Sequence, residues 1–99
     1  MSDFILESVG RRPWREADGP PPVVRCWPPA HRPALYVWSH GRWRYAPVHA
    51  RQTYADGTVA YQVTVDLAGD TTVTWRLYGW PQPGLCLAHR SPMGLSSGP

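Results

Sequence analysis

The chain has 99 residues and a formal net charge of +3, which is a suitable size for one domain. All ten basic residues are Arg, and Lys and Asn are absent, a composition typical of a GC-rich bacterial genome, so the basicity alone does not indicate phosphate binding. No stretch approaches the roughly 20 apolar residues of a membrane span. The first nine residues lack the pattern of a signal peptide, so we expect a cytoplasmic protein.

Residues 1–25 are predicted to form an N-terminal arm and Pro-rich linker, because they combine Arg and Gly with a run of three prolines. Ser2–Val9 is compatible with one short strand or one helical turn, and we expect it to add a fifth strand that closes the sheet. The cluster Arg11–Arg15 is suited to nonspecific phosphate contact, although Glu16 and Asp18 dilute its field and a solvated linker is the commoner outcome.

Residues 26–90 are predicted to form a β-meander, and its first hairpin turns at His40-Gly41. Pro47 cannot donate to a strand ladder, so it marks an edge or a bulge in the second strand. With His40 and Gly41 as a two-residue loop, the predicted cross-strand pairs are Trp38–Trp43, Val37–Arg44, Tyr36–Tyr45 and Leu35–Ala46.

The second hairpin is predicted at Asp56-Gly57, a strong signal for a type I′ turn because both central positions need positive φ. After Gly57, apolar residues occupy every second position up to Leu67, which is the period of a half-buried strand. The predicted pairs are Ala55–Thr58, Tyr54–Val59, Gln52–Tyr61, Ala50–Val63 and Val48–Val65.

The third turn lies at Ala68-Gly69-Asp70, and two loop lengths compete there. A three-residue loop pairs Val65 with Val73, whereas a two-residue loop pairs Val65 with Thr74 and turns the apolar set of the last strand outward. Since register follows the hydrophobic pattern, the longer loop is favoured.

These strands predict an all-β fold: a four- to five-stranded antiparallel meander forming a small SH3-like barrel or half-open roll, with irregular Pro-rich termini. Residues 91–99 are rich in Ser, Gly and Pro and are expected to form a disordered tail. No motif identifies a family. The expected architecture resembles that of SH3 and Tudor domains. The Tudor resemblance would make Trp38, Trp43 and Tyr45 rings of an aromatic cage for methylated side chains, although fold alone does not define function.

The predicted registers divide the strands into two faces. The expected core face contains Leu35, Val37, Ala46, Val48, Ala50, Val59, Tyr61, Val63, Val65, Val73, Trp75 and Leu77. The opposite face contains the predicted ligand-binding residues Tyr36, Trp38, Trp43, Tyr45, Arg51, Arg76 and Tyr78.

Aromatic rings interspersed with Arg suit nucleic acid, because bases stack on rings while guanidinium groups meet phosphate. The sequence therefore favours a small binding module whose partner is a nucleic acid. The alternatives are a protein–protein interaction module, including a homodimer formed through the same face or a free strand edge, and rings that only stabilise the sheet.

Two Cys/His clusters flank the meander. Cys26 is followed by His31, and Cys86 by His89, which together form a permissible tetrahedral zinc set and a third alternative, a metal-stapled structural domain. Their spacing matches no common zinc finger. Free thiols or a Cys26–Cys86 disulfide are the competing interpretations.

No enzymatic constellation is predicted. Ser39 and His40 are adjacent at a turn, where their side chains are not expected to face one another, and Asp66 and Asp70 are isolated acids. Because a nucleophile needs a base and an orienting group within reach, we expect no catalytic activity and no cofactor other than the possible zinc.

Overall fold

The structure of the chain is a computed structural model that describes residues 5–88. Those residues form an antiparallel all-β fold with no α-helix and two short 3₁₀ turns, Glu16–Asp18 and Pro29–His31. The strands are β1 (Val23–Cys26), β2 (Ala34–Ser39), β3 (Arg42–Thr53), β4 (Val59–Val65), β5 (Thr74–Trp80) and β6 (Leu85–Leu87). The predicted all-β antiparallel class is confirmed, but the described residues contain six strands, because β1 and β6 add to the expected meander.

The sheet is organised by β3, which pairs with different neighbours along its length. The strand order is β5-β4-β3-β2-β6, and β1 pairs with the second half of β3. The first half of β3 pairs with β2, and its register with β4 shifts between Val48 and Ala50. Since a bulge bends its strand, β3 directs the two halves of the sheet around one core. The described strands do not close into a barrel.

The core lies between the inner faces of these two halves. The alternating stripe of β4 is buried as predicted, with Tyr61, Val63 and Val65 almost fully inaccessible. Burial of such side chains is the main favourable contribution to folding. The core residues are Leu35, Val37, Ala46, Val48, Tyr61, Val63, Val65, Tyr78 and Leu85.

The first hairpin has the predicted register, including the pairs Trp38–Trp43 and Tyr36–Tyr45. The turn works because both His40 (φ 51°) and Gly41 (φ 74°) adopt the left-handed conformation that a two-residue loop requires. The phase of these two strands therefore follows directly from the turn.

The predicted register of the second hairpin is wrong by one residue. Thr53 pairs with Val59, because the loop contains an additional residue: the Gly57 N–H donates to the Tyr54 carbonyl, and the Tyr54 N–H donates to the Thr58 carbonyl. The bulge between Val48 and Ala50 then shifts the register again, so that Val48 faces Val63.

The predicted register of the third hairpin is also wrong, since Val65 pairs with Thr74. The Asp66 carboxylate accepts hydrogen bonds from three backbone N–H groups of the connection, those of Gly69, Asp70 and Thr71. This loop sets the register between β4 and β5. Each side chain of β5 therefore points to the face of the sheet opposite to the predicted one.

Three side chains are consequently placed contrary to the prediction. Trp75, predicted in the core, is 58% exposed, and Val73 is exposed as well. Tyr78, predicted on the ligand-binding face, is 3% exposed and belongs to the core, where Tyr61 lies opposite it on β4. Tyr78 is therefore removed from the candidate site.

Within residues 5–11, the N-terminal segment bridges the two halves of the sheet without forming a strand of its own; the first residues of the predicted strand Ser2–Val9 lie outside the described residues. The Ser8 N–H donates to the Trp38 carbonyl of β2, and the Arg11 N–H donates to the Leu77 carbonyl of β5. Gly10 makes an isolated bridge to Tyr78. The domain boundaries after residues 25 and 90 stay predictions, and the predicted tail, residues 91–99, lies outside the described residues.

Candidate ligand-binding faces

Four of the predicted site residues form one surface on the β2–β3 hairpin, which we name the ring face: Tyr36, Trp38, Trp43 and Tyr45. The rings meet edge to face across the strands, with centroids 5.9 Å apart for Tyr36–Tyr45 and 5.1 Å apart for Trp38–Trp43. Trp43 is 39% exposed and Tyr45 59% exposed, while the other two are half-buried. The ring face thus lies outside the core.

Strand periodicity explains this arrangement. Leu35, Val37 and Ser39 are buried, whereas the intervening residues of β2 point away from the core. Aromatic cross-strand pairs of this kind stabilise a hairpin by roughly 0.2–1 kcal/mol each. Trp43 and Tyr45 thus keep much of their surface exposed while they contact the neighbouring rings of β2.

The arginines of β3 are distributed unevenly around the rings. Arg42 is exposed, but it pairs with the buried Ser39 and therefore projects from the face of the hairpin opposite to Trp43. Arg44 is half-buried, and its Nε donates to the Ser39 carbonyl at 3.1 Å. Arg51 lies on the core side of the second half of β3, opposite Tyr61, with a buried Nε that has no acceptor among the described residues. The predicted site residue Arg51 is therefore separate from the ring face.

Arg76 lies opposite Val63, so its side chain leaves β5 on the face that bears Tyr78 and not on the face that bears Trp75. Its side chain is exposed on β5 and makes no hydrogen bond or ion pair within residues 5–88. It lines one cleft together with Trp38, the core residue Tyr78 and the carboxylate of Glu7. Arg76 is thus the predicted arginine that remains next to a residue of the ring face.

The tip of the hairpin contains a hydrogen-bonded Ser–His pair, contrary to the prediction that these side chains do not face one another. The Ser39 Oγ lies 3.0 Å from the His40 Nδ1, because the positive φ of His40 turns its ring back toward the strand. Both groups also lie 3.0 Å from the Leu67 carbonyl, and the His40 N–H donates to Glu7.

These contacts hold the tip of the β2–β3 hairpin against the loop that contains Leu67. A relay for nucleophilic attack needs one ring nitrogen for the hydroxyl and the other for an acid. Here the hydroxyl, the carbonyl and Glu7 all lie on the Nδ1 side of His40. Ser39 is also buried, which keeps its hydroxyl from a substrate.

The candidate zinc ligands are placed on different strands. Cys26 is exposed on β1 opposite Ala50, and Cys86 is half-buried on β6 opposite Tyr36, where burial raises the pKa of its thiol. Both thiols are free. Residues 5–88 contain no group of three or more His, Cys, Asp or Glu side chains placed to hold a metal. His31 ends a 3₁₀ turn, and His89 lies outside the described residues, so zinc binding stays a prediction.

A second surface, which the sequence did not predict, is a groove between the N-terminal arm and the outer face of the sheet. The cavity has a volume of about 660 Å³. We name it the arm groove; its lining includes Arg11, Pro13, Trp14, Pro22, Gln52, Gln62, Trp75, Arg76 and Leu77. One feature of the sequence indicated this groove: the alternative two-residue loop at the third turn gives a register that turns Trp75 outward.

The charged residues that line the arm groove are all positive. Its charged lining residues are Arg11 and Arg76, and no carboxylate lines it. The Arg11 guanidinium is occupied, since it lies 3.8 Å from the centre of the Tyr54 ring and donates to the Thr58 hydroxyl. The indole N–H of Trp14 is buried and has no acceptor among the described residues.

Comparison of the chain with protein-family models, with curated proteins and with solved structures finds no match. Within residues 5–88, there is no helix with the length and apolar character needed to cross a membrane. A functional assignment therefore has to be argued from the two surfaces themselves.

Proposed function

We propose that the protein is a small non-enzymatic module that binds single-stranded nucleic acid on its ring face. The observation that supports this most is the exposure of Trp43 and Tyr45 beside two further rings on the same side of one hairpin. Unpaired bases stack on such rings with little dependence on sequence.

Charge placement supports the same proposal. Arg76 shares a cleft with Trp38 and Glu7, and Arg42 flanks the tip of the hairpin on the face opposite to Trp43. Of the two, Arg76 is the guanidinium whose position next to the ring face would let it meet a phosphate that joins stacked bases. The net charge of +3 favours the approach of a polyanion.

We also propose that the sheet approaches a small SH3-like barrel. The segment from Ser8 to Arg11 hydrogen-bonds both β2 and β5, which supports a sheet that is nearly closed by the arm instead of by a strand. In such a small roll, a curved hairpin presents its outer rings to a ligand.

The proposal is tested by fluorescence anisotropy with a labelled mixed-sequence DNA, offered single-stranded and as a duplex, at two salt concentrations. We expect tighter binding of the single strand and weakening by salt. Replacing Trp43→Ala removes one stacking platform and is expected to weaken binding by roughly 5- to 100-fold. Val23→Ala is the control, because Val23 is exposed on β1.

Two results would overturn the proposal. One is the absence of any binding to single strands at low salt. The other is equal affinity of the wild type and Trp43→Ala while circular dichroism shows both to be folded.

Self-association is the second candidate, favoured by a free strand edge. Within residues 5–88, no strand pairs with the edge of Arg42–Pro47 that faces away from β2. This edge lies beside the exposed Trp43 and Tyr45, and unpaired edges can pair with another chain. Light scattering that shows a dimer, dissociated by Trp43→Ala, would favour this candidate over nucleic-acid binding.

A further inference from the structure

We propose that the arm groove is a separate binding site for an uncharged planar heterocycle with a lactam edge, that is, with a ring carbonyl beside a ring N–H, as in the oxopurines. The site lies on the outer face of the sheet under the N-terminal arm, away from the rings of the β2–β3 hairpin. Its existence does not depend on nucleic-acid binding by the ring face.

The shape of the groove suits a flat ring. Its floor is the outer face of the sheet, with Trp75 and Leu77 of β5, and its roof is the arm, with Trp14 and several prolines. Its volume of about 660 Å³ lies in the range of small-molecule sites, roughly 300–1,000 Å³. Trp75 is 58% exposed and its only aromatic neighbour among the described residues is His49, so one face of the indole is available for stacking.

The groove offers no free charge to a ligand. The Arg11 guanidinium is engaged by the Tyr54 ring and the Thr58 hydroxyl. Arg76 lies opposite the core residue Val63, so its guanidinium leaves β5 on the other face of the sheet. No described carboxylate lines the groove. An ionic group held there would lose its hydration without gaining a partner, which is costly, so the groove favours an uncharged ligand.

The amide of Gln62 determines which edge such a ligand presents. Gln62 lies opposite Leu77, so its side chain belongs to the floor of the groove. It is half-buried and makes no hydrogen bond with any described residue. A carboxamide holds an NH₂ donor and a carbonyl acceptor side by side, so it can form two parallel hydrogen bonds with a C=O and an N–H that are adjacent in a ring.

The other polar groups of the groove favour carbonyl oxygens on the ligand. The Trp14 indole N–H is shielded from solvent and has no acceptor within residues 5–88, a condition that is uncommon in native structures. The Gln52 oxygen already accepts from the Tyr54 hydroxyl, which leaves the NH₂ group of Gln52 as a donor. Donors therefore outnumber free acceptors in the groove, and ring carbonyls satisfy them better than exocyclic amines.

The test uses two methylxanthines that differ by one methyl group. Theobromine keeps the N–H between its two ring carbonyls, whereas caffeine carries a methyl group on that nitrogen, and both are uncharged at neutral pH. Each is titrated into the ¹⁵N-labelled full chain, and its affinity is read from the indole N–H resonances. We expect the Trp14 and Trp75 resonances to shift, and theobromine to bind about tenfold more tightly, since caffeine leaves the Gln62 carbonyl unpaired.

Three variants locate the site. Gln62→Met keeps the length of the side chain and removes the amide, so it should reduce theobromine to the affinity of caffeine and leave caffeine unchanged. Trp75→Ala removes the stacking surface and should weaken both compounds by about tenfold or more, as read from the Trp14 resonance. Trp43→Ala is the matched control on the ring face and should alter neither affinity. Circular dichroism shows whether each variant is folded.

The groove proposal is overturned if theobromine and caffeine bind equally, if Gln62→Met weakens both to the same extent, or if neither shifts the Trp75 resonance at millimolar concentration. The ring-face proposal fails on the oligonucleotide assay instead, whichever result the xanthines give. Because bases of nucleic acids also carry lactam edges, the theobromine complex is then titrated with a single-stranded oligonucleotide. Displacement would identify a base of a strand as the occupant, no displacement would identify a free heterocycle, and either result supports the site.

Discussion

The ring face and the arm groove contain two tryptophans each, but the two pairs of side chains are arranged differently. On the ring face, Trp38 and Trp43 contact one another across the hairpin, and Trp43 remains exposed. In the arm groove, Trp14 comes from the arm and Trp75 from β5, with a cavity between the two elements. The segment that lies over a sheet, more than the sheet itself, determines whether its aromatic residues form a flat platform or a pocket.

The comparison predicts different ligands for the two surfaces. A flat platform suits successive bases of a strand, while a bounded groove suits one small molecule. Both surfaces rest on the same core, so changes in the core should affect them together and changes on either surface should affect them separately.

The largest effect is expected from Leu35→Ala, which removes a fully buried side chain beneath the ring face. Such a truncation typically destabilises a protein by about 2–5 kcal/mol through lost burial and the cavity left behind. Urea unfolding should show this loss of stability, and the ring face and the arm groove should unfold in a single transition. Trp43→Ala, on the surface above, should cost much less; equal losses would contradict the assignment of Trp43 to the outside.

A smaller effect of opposite sign is expected from Tyr61→Phe, on the β4 side of the core. The Tyr61 hydroxyl is buried without a hydrogen-bond partner among the described residues. Removing it should stabilise the fold by about 1 kcal/mol, because an unsatisfied buried group costs about that much. Tyr54→Phe is the matched control and should destabilise, since the Tyr54 hydroxyl donates to Gln52. Destabilisation by Tyr61→Phe would show that the hydroxyl has a partner.

The smallest effect should be confined to the N-terminal arm and appear only in acid. A hydrogen bond from Arg12 lowers the pKa of Asp18 far below its ordinary value, with the Arg15 N–H adding to the effect. Because the folded pKa is depressed, this pair stabilises the arm above the ordinary Asp pKa of about 4, and its contribution is lost as the pH falls through the lower folded value. Since the pair is exposed, the effect should be modest and weakened by salt.

Trp14 fluorescence followed from neutral to acid pH measures this change. Asp18→Asn should remove the acid transition of the arm while leaving the emission of Trp43 unaltered. A transition of equal size in the variant would assign the acid response to another carboxylate.

The sequence predicts the first hairpin well because its two-residue turn sets both strands. It predicts the later hairpins poorly because their registers depend on interactions that alternation does not show. At the third turn, the Asp66 carboxylate organises a long loop through three backbone N–H groups, and this reverses the alternating faces of β5.

The same limitation explains what was missed in the candidate site. The alternating pattern places Tyr78 outward and Trp75 inward, whereas Tyr78 is buried and Trp75 is exposed, so the sequence does not predict the sheet face on which the arm groove lies. The arm itself appeared as a linker, since Pro-rich segments have no periodicity from which packing can be predicted. The hydrogen bond between Ser39 and His40 was missed, although the predicted two-residue turn already requires a positive φ at His40.

The central claim is that Trp43 lies outside the core and is free to contact a nucleic acid. The most direct measurement is an NMR titration of the ¹⁵N-labelled protein with a single-stranded oligonucleotide, following the indole N–H resonances of its six tryptophans. We predict that the Trp43 and Trp38 resonances shift first, while that of Trp80, packed against Tyr61, stays in place. An unchanged Trp43 resonance at saturating oligonucleotide would contradict the account.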